Sequence, residues 1–465
     1  MDQIRILLWA ALLTLLWLGF NQWFDDYGAP PPPPQVEAPQ DDPTLPAPAP
    51  LPDVTDELPA GPVGPNAEVS QTQSDTGVAA PVRVRTDVLD IVIDARGGDI
   101  VRADLLEYPV SKDSPDELVR LLDYQPATRW VFQTGVRDVR SDNGPTHLAM
   151  YTSRQNSYEL AGDRSELIVT LDWDDGNGLS AHKTYTFHRG SYAVDLDVQI
   201  LNESGSAWNA MPYLQMLRQH IARDRSFLDV DSYSYTGPVL YDGESRTKLD
   251  VEDLVEEPIS ADVYTNGWLA SIQHHFLAAA VPPAEESYTF SATSANERYL
   301  LTARGPTRVV PTGATTDFAS RLFVGPKLQQ QLEATAEGLV LTVDYGVLTA
   351  LADPLFWLLE RAYALLGNWG LAIIAVTFLI KLVFYPLTQM SGRSMAKMRK
   401  LAPRLKALQE RFKDDKQALS QAMMELYRKE KANPAAGCLP LLIQMPFFFA
   451  FYWVLIESVE MRQAP

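Results

Sequence analysis

Two apolar runs bracket a short, strongly basic stretch, and this arrangement limits the possible folds of the chain more than any other feature. Trp369 to Leu387 (WGLAIIAVTFLIKLVFYPL) and Gly437 to Ile456 (GCLPLLIQMPFFFAFYWVLI) are each close to the ~20 residues that cross a bilayer. Between them, residues 388–433 hold twelve lysines and arginines against five carboxylates, a net of +7. The whole chain of 465 residues carries −20, and residues 25–343 alone carry −25. An acidic block and a basic block separated by hydrocarbon-length segments are expected of a protein with a face on each side of a membrane. The basic block belongs in the cytoplasm, so spans at 368–388 and 437–457 form a hairpin around it. The acidic block and the end at 458–465 then lie outside.

A third apolar run, Ile4 to Phe20, is either a cleaved signal peptide or a retained anchor. Gly28-Ala29 leads straight into Pro30, a poor cleavage context, which favours an anchor over residues 1–24 with a cytoplasmic N-terminus. Residues 25–80 open with Pro30-Pro31-Pro32-Pro33-Pro34 and continue through APAPLPD and AGPVGPN, a semi-rigid polyproline spacer or simply a disordered segment. From 81 to 343 the pattern turns to apolar alternation punctuated by Gly, Asn and Asp, as in VLDIVIDARGGDIVRADL and ELIVTLDWDDGNGLSAHKTYTF. The expectation there is one large antiparallel β-sandwich with few helices.

Little in that acidic block points to catalysis. Cys438 is the single cysteine, which excludes an intramolecular disulfide and an all-cysteine metal site. The histidines, His147, His182, His188, His220, His274 and His275, fall into no HExxH spacing, and no nucleophile elbow, Walker A or dinucleotide loop occurs. His274 and His275 sit in the strand-like run SIQHHFLAAAV, where neighbours point to opposite faces and do not share an ion. Asp172 to Gly178 faintly suggests a calcium loop, but Gly176 takes the fifth position and no Glu follows at the twelfth, so a hairpin turn is expected. No catalytic residue, metal or cofactor is assigned, the chain is not expected to be an enzyme, and the acidity of the external block argues against DNA.

The C-terminal third holds the informative polar residues. Asp353-Pro354 predicts an N-cap and first helical position for an amphipathic helix within 344–367, its apolar face at Leu355, Leu358, Leu359 and Ala362, ending near Gly367. Lys381 lies inside the second span, where an ammonium either snorkels to the interface or faces a wet cavity. In the third span Gln444 is a polar group at membrane depth, with Pro440 and Pro446 expected to bend the helix. Within 389–436, Met395, Met398, Leu405, Leu408 and Phe412, then Leu419, Met423 and Leu426, recur at helical steps. This pattern predicts a helical hairpin broken near Leu401–Pro403, with its turn at Lys413–Lys416. Its cations contact anionic lipid headgroups or ribosomal RNA, or are merely solvated.

The run TFLIKLVFYPLTQMSGRSMAKMRKLAPRLKALQERF, with GCLPLLIQMPFFFAFYWVLI after it, resembles the YidC/Oxa1/Alb3 membrane-protein insertases from about Asp344 to Pro465. With the anchor, linker and external sandwich, the layout is similar to the Gram-negative bacterial branch of that family. The resemblance implies a multi-domain membrane protein. It would consist of an all-β periplasmic supersandwich of galactose-mutarotase-like fold, a partial α-helical transmembrane insertase core and a cytoplasmic helical hairpin. It implies an inner-membrane insertase and chaperone whose hydrophilic groove attracts the polar tail of a nascent membrane protein. The groove charge falls on Lys381, where the family commonly has Arg; Thr377 and Gln444 line the groove, and Met445, Phe448 and Phe451 contact the substrate span. Residues 403–431 match the family's substrate-receiving hairpin. The implied partners are nascent membrane proteins, the Sec translocon with its accessory subunits, the ribosome and anionic lipids. Because the family continues through three more spans, truncation after the third is expected. The competing reading is a membrane-anchored periplasmic binding or scaffold module.

Overall fold

The computed structural model describes residues 80–140, 144–221, 234–413, 415–430 and 439–464. The anchor at 1–24, the linker at 25–80 except Ala80, and Cys438 lie outside the described residues. Within 82–326 the alternating pattern becomes sheet. In Ala193–Asn202 (AVDLDVQILN), Val194, Leu196, Val198 and Ile200 are buried while the residues between them are half-buried, the period of a strand with one face on a core. Nine strands form one sheet in the spatial order Arg246–Lys248, Thr236–Tyr241, Trp268–Gln273, Phe276–Val281, Ala314–Pro326, Ala193–Asn202, Leu179–His188, Glu166–Asp174 and Thr152–Ser153. A second sheet of six contains the long strand Trp208–Gln219, which also pairs with Trp130–Asp138, and a third sheet of five contains Leu89–Ile93 and Ile100–Ser111. Pairing is antiparallel except between Val82–Arg85 and Ser157–Glu159. All three sheets feed one apolar cluster.

The hairpin between Glu166–Asp174 and Leu179–His188 uses the carboxylates of its turn on backbone amides. Asp174 accepts from the Gly176 N–H at 2.6 Å, and Asp175 accepts from Asn177 at 2.8 Å and Leu179 at 2.9 Å. His274 and His275 are not in a strand. They form the turn between Trp268–Gln273 and Phe276–Val281, with His274 at φ 44° and the two rings stacked 3.7 Å apart. The turn's left-handed residue removes the alternation on which the strand expectation rested.

Lys183 sits on the inward face of its strand, fully buried. Its three N–H bonds are used: Asp99 Oδ1 at 2.6 Å, the Gly97 carbonyl at 2.7 Å and the Thr134 carbonyl at 3.1 Å. Asp99 also accepts from the Thr134 amide and hydroxyl at 2.9 and 2.7 Å. Gly97 makes this approach possible: at φ 79° a Cβ there would lie 2.5 Å from the His147 carbonyl oxygen.

Among the described residues the α-helices are α1 (Asp253–Glu256), α2 (Gln329–Thr335), α3 (Thr349–Leu366), α4 (Trp369–Val383), α5 (Tyr385–Arg411), α6 (Lys416–Lys429) and α7 (Leu439–Glu457). The helix expected to start at Asp353-Pro354 starts earlier, at Thr349, because the 3-10 turn Gly346–Leu348 leads directly into it; Pro354 is therefore inside α3. Gly367, at φ 65°, ends α3, and Asn368 accepts from the Leu371 N–H at 3.0 Å to start α4. The second span is not straight through 368–388. It bends by 60° at Phe384, because a helix continuing through Pro386 would drive the proline ring into the carbonyl of Leu382. Conversely, Pro403 does not break the hairpin: α5 runs through it to Arg411. The ~3 kcal/mol proline penalty is carried by a surrounding run of good helix formers. α5 ends at Arg411, Asp415 caps α6, and Arg404 pairs with Glu430 at 2.6 Å. α7 is one helix, with Pro440 in its first turn and Pro446 inside. Among the described residues no single helix is long and apolar enough to cross a membrane; α4 and α5 pass that test only together.

A buried pair broken on one side leaves an uncompensated charge. Lys183→Met is therefore expected to lower the unfolding free energy by roughly 3–5 kcal/mol in urea titrations followed by tryptophan fluorescence. The double change Lys183→Met with Asp99→Leu should recover part of the loss, and a single substitution indistinguishable from native would refute the role.

Candidate functional site

Helix α3 is the piece against which the other long apolar helices rest. It buries Ala352, Leu355, Phe356 and Leu359, one stripe of an amphipathic helix, while Trp357 and Leu365 remain exposed. α4 packs on it, burying Ala372, Val376 and Ile380 at four-residue steps, and α7 packs on it with Ala450, Phe451 and Val454 buried. Tyr363 stacks on Trp369 at 4.0 Å across the α3–α4 turn, and Phe384, at the bend after α4, meets Phe447 of α7 edge to face at 5.0 Å.

The candidate residues divide between two faces. Thr377 is half-buried, and Lys381, one turn later on the same side of α4, is exposed in the helix's last turn, where a cation complements the carbonyl end of the dipole. On α7, Gln444 is half-buried and Met445 and Phe448 are exposed, sharing an apolar outward face with Phe449 and Tyr452. Phe451, about 60° around the helix from Phe448, is buried in the packed seam. The structure thus groups Thr377 with Lys381 and Met445 with Phe448. Among the described residues, no hydrogen bond or ion pair ties Lys381 or Thr377 to Gln444.

Sequence reasoning missed a second set of residues, where the end of α7 meets the sheets. Glu457, the last residue of α7, is buried; it accepts from Ser234 Oγ at 2.7 Å and faces the buried Lys327 Nζ at 3.9 Å. Burial pushes Lys327 down to about 8 despite the nearby Glu457 and Asp344 carboxylates. Tyr345 OH lies 3.4 Å from Ser458 Oγ. Farther on, Arg462 donates to the Pro109 and Val110 carbonyls at 2.9 and 3.1 Å, and Lys112 donates to the Ala464 carbonyl at 2.8 Å. A lone acid closing an apolar run was the only sequence signal at this junction; Lys327 carried none.

The family model of the YidC periplasmic domain matches residues 81–358, and that of the 60Kd inner membrane protein matches residues 361–465. The membrane protein insertase YidC of Thioalkalivibrio sulfidiphilus is 43% identical over 482 aligned positions, covering 100% of this chain and 84% of that protein. Its counterparts in Methylococcus capsulatus and Azotobacter vinelandii are 42% and 41% identical, again over 100% of this chain and 83% and 84% of theirs. Among solved structures, a galactose mutarotase related enzyme from Lactobacillus acidophilus matches at 8% identity over 52% of this chain and 97% of its own, with a TM-score of 0.35. A galactose mutarotase-like protein from Lactobacillus casei matches at 9% identity over 53% of this chain and 100% of its own, with a TM-score of 0.34. No activity is carried over from them.

The junction titrates. Burial pushes the Glu460 carboxyl from 4.5 up to about 7, and its Oε2 has no hydrogen-bond partner among the described residues. Since the folded value lies above the unfolded one, the cost is absent below about 4.5 and complete above about 7. Glu460→Gln is expected to stabilise the protein by up to roughly 3 kcal/mol at pH 8 and to change nothing at pH 4.5, read from thermal melts at both pH values. An equal gain at both would refute the burial argument.

Proposed function

Since this chain belongs to the YidC family of membrane protein insertases, and so serves the insertion of proteins into the bacterial inner membrane, we propose that α4 and α7 form the working face. In this reading Lys381, with Thr377 and Gln444, provides a wet polar lining, while Met445 and Phe448 form an apolar slide. A polar external tail crossing the bilayer loses its hydration, at a cost of several kcal/mol for each charge. A cation held at membrane depth with water around it shortens the dry distance the tail must cross, while the tail's apolar span leaves along the adjacent greasy face. The observation that carries this reading is the exposed apolar face of α7, in the same bundle as an α4 that ends in an exposed lysine. Phe451, being buried, supports that face from behind. No covalent step is needed, so no catalytic group is assigned.

The charge segregation supports a topology with the N-terminus and the α5–α6 hairpin in the cytoplasm and the sheets in the periplasm. The exposed cations of α5 and α6, Lys397, Arg399, Lys400, Lys406 and Arg411 among them, suit anionic headgroups or ribosomal RNA. Cooperation with the Sec translocon and its accessory subunits belongs to the same reading. A binding or scaffold role for the sheets is favoured by one observation, a cleft of about 620 Å³ on the nine-stranded sheet lined by Thr184, Asp195, Asp197, Arg321, Glu285 and Glu337.

A photo-crosslinker at Phe448, with ribosomes translating a single-span protein, should capture the nascent span; no capture would sink the insertion path along α7. Lys381→Glu is expected to reduce insertion of proteins with acidic external tails about fivefold or more, with Lys381→Arg within about twofold of native. Equal activity of all three would mean that the ammonium snorkels.

A further inference from the structure

The buried contact between Lys327 and Glu457 joins the last strand region of the sheets to the last turn of α7. Lys327 follows directly on the strand Ala314–Pro326 and is 3% exposed; the Glu457 side chain is 6% exposed. Two charges in such a place are costly unless each has a counterpart, so the lysine is met by a carboxylate that is itself held by Ser234. The contact is therefore directional: turning α7 about its axis would move Glu457 away from Lys327 and Ser234 and leave a buried carboxylate without its partners. Helical geometry carries that constraint along α7. Phe448 is nine residues before Glu457, two and a half turns, hence roughly 180° around the axis, whereas Ala450 at seven residues is within roughly 20° of it. This is the observed division, with Ala450 buried on the Glu457 side and Phe448 exposed on the opposite side. Arg462 donates to the Pro109 and Val110 carbonyls and Lys112 donates to the Ala464 carbonyl, so the residues after α7 are tied to 109–112, which fixes the height of the helix end as well.

We infer that Lys327 is a positioning residue for insertion: its ion pair with Glu457 sets the axial rotation of α7, and so which side chains α7 presents on its outward face. The inference rests on the proposed role of that face, but its test reads rotation without any substrate. In the full chain in inner-membrane vesicles, with Cys438→Ser as background, Met445→Cys, Phe448→Cys and Phe451→Cys are labelled singly with a maleimide. With Lys327 present, positions 445 and 448 label readily and 451 is protected. Lys327→Met is expected to raise the labelling rate at 451 about fivefold or more relative to 448, while Lys327→Arg, which keeps the cation, holds the native pattern. If Lys327→Met does not accumulate, Glu457→Gln, which keeps an acceptor for Ser234 and loses the charge, is expected to give the same change. A native pattern in the neutral variant overturns the inference, as does an equal shift in both Lys327→Met and Lys327→Arg, which would make shape rather than charge the cause. The insertion reading fails separately, if the unaltered chain carrying a crosslinker at 448 captures no nascent span.

Discussion

An ammonium group taken out of water costs several kcal/mol unless oxygen atoms meet it, and three lysines in this chain meet that constraint in three ways. Lys183, inside the sheets, spends all its donors on Asp99 and two carbonyls, so the interior accepts it as a closed polar knot. Lys327, at the edge of the sheets, finds its counter-ion on another element, at the end of α7. Lys381, in an apolar helix, stays exposed at the end of α4. The first arrangement stabilises, the second joins two parts of the molecule, and the third leaves a charge available to something outside the chain.

The helical part depends on the same economy of contacts. α3 is amphipathic, and its single buried stripe serves both α4 and α7. Their outward faces remain rich in Ile374, Phe378, Leu382, Phe448 and Phe449. In water such surfaces would be a liability, but beside lipid or a passing apolar segment they carry little penalty. The sheets, by contrast, present aspartates outward along Ala193–Asn202, as suits a domain in contact with water.

Much of this was legible along the chain. Alternation marked the strands, and the turn chemistry of Asp174, Asp175 and Gly176 marked a hairpin, because each signal acts over a few residues. Gly367 marked the end of α3 for the same reason. Proline was less reliable. Pro386 bends the second apolar segment, Pro403 lies inside a continuous helix, and Pro354 sits within α3 rather than at its start. The penalty is similar at each position, and the neighbours decide whether it breaks the helix. The family resemblance groups Phe451 with Phe448, yet the packing on α3 turns one inward and leaves the other out.

What the sequence determined by itself is therefore local or additive: which segments are strand or helix, where they are capped, and the segregation of −25 from +7 along the chain. What only the tertiary structure decided is which buried polar groups meet. Lys183 and Asp99 are 84 residues apart, and Ser234 and Glu457 are 223 apart. No periodicity links such positions, because they come together only after the sheets have closed over the intervening chain. The rotation of α7, and with it the face it offers, is of this second kind.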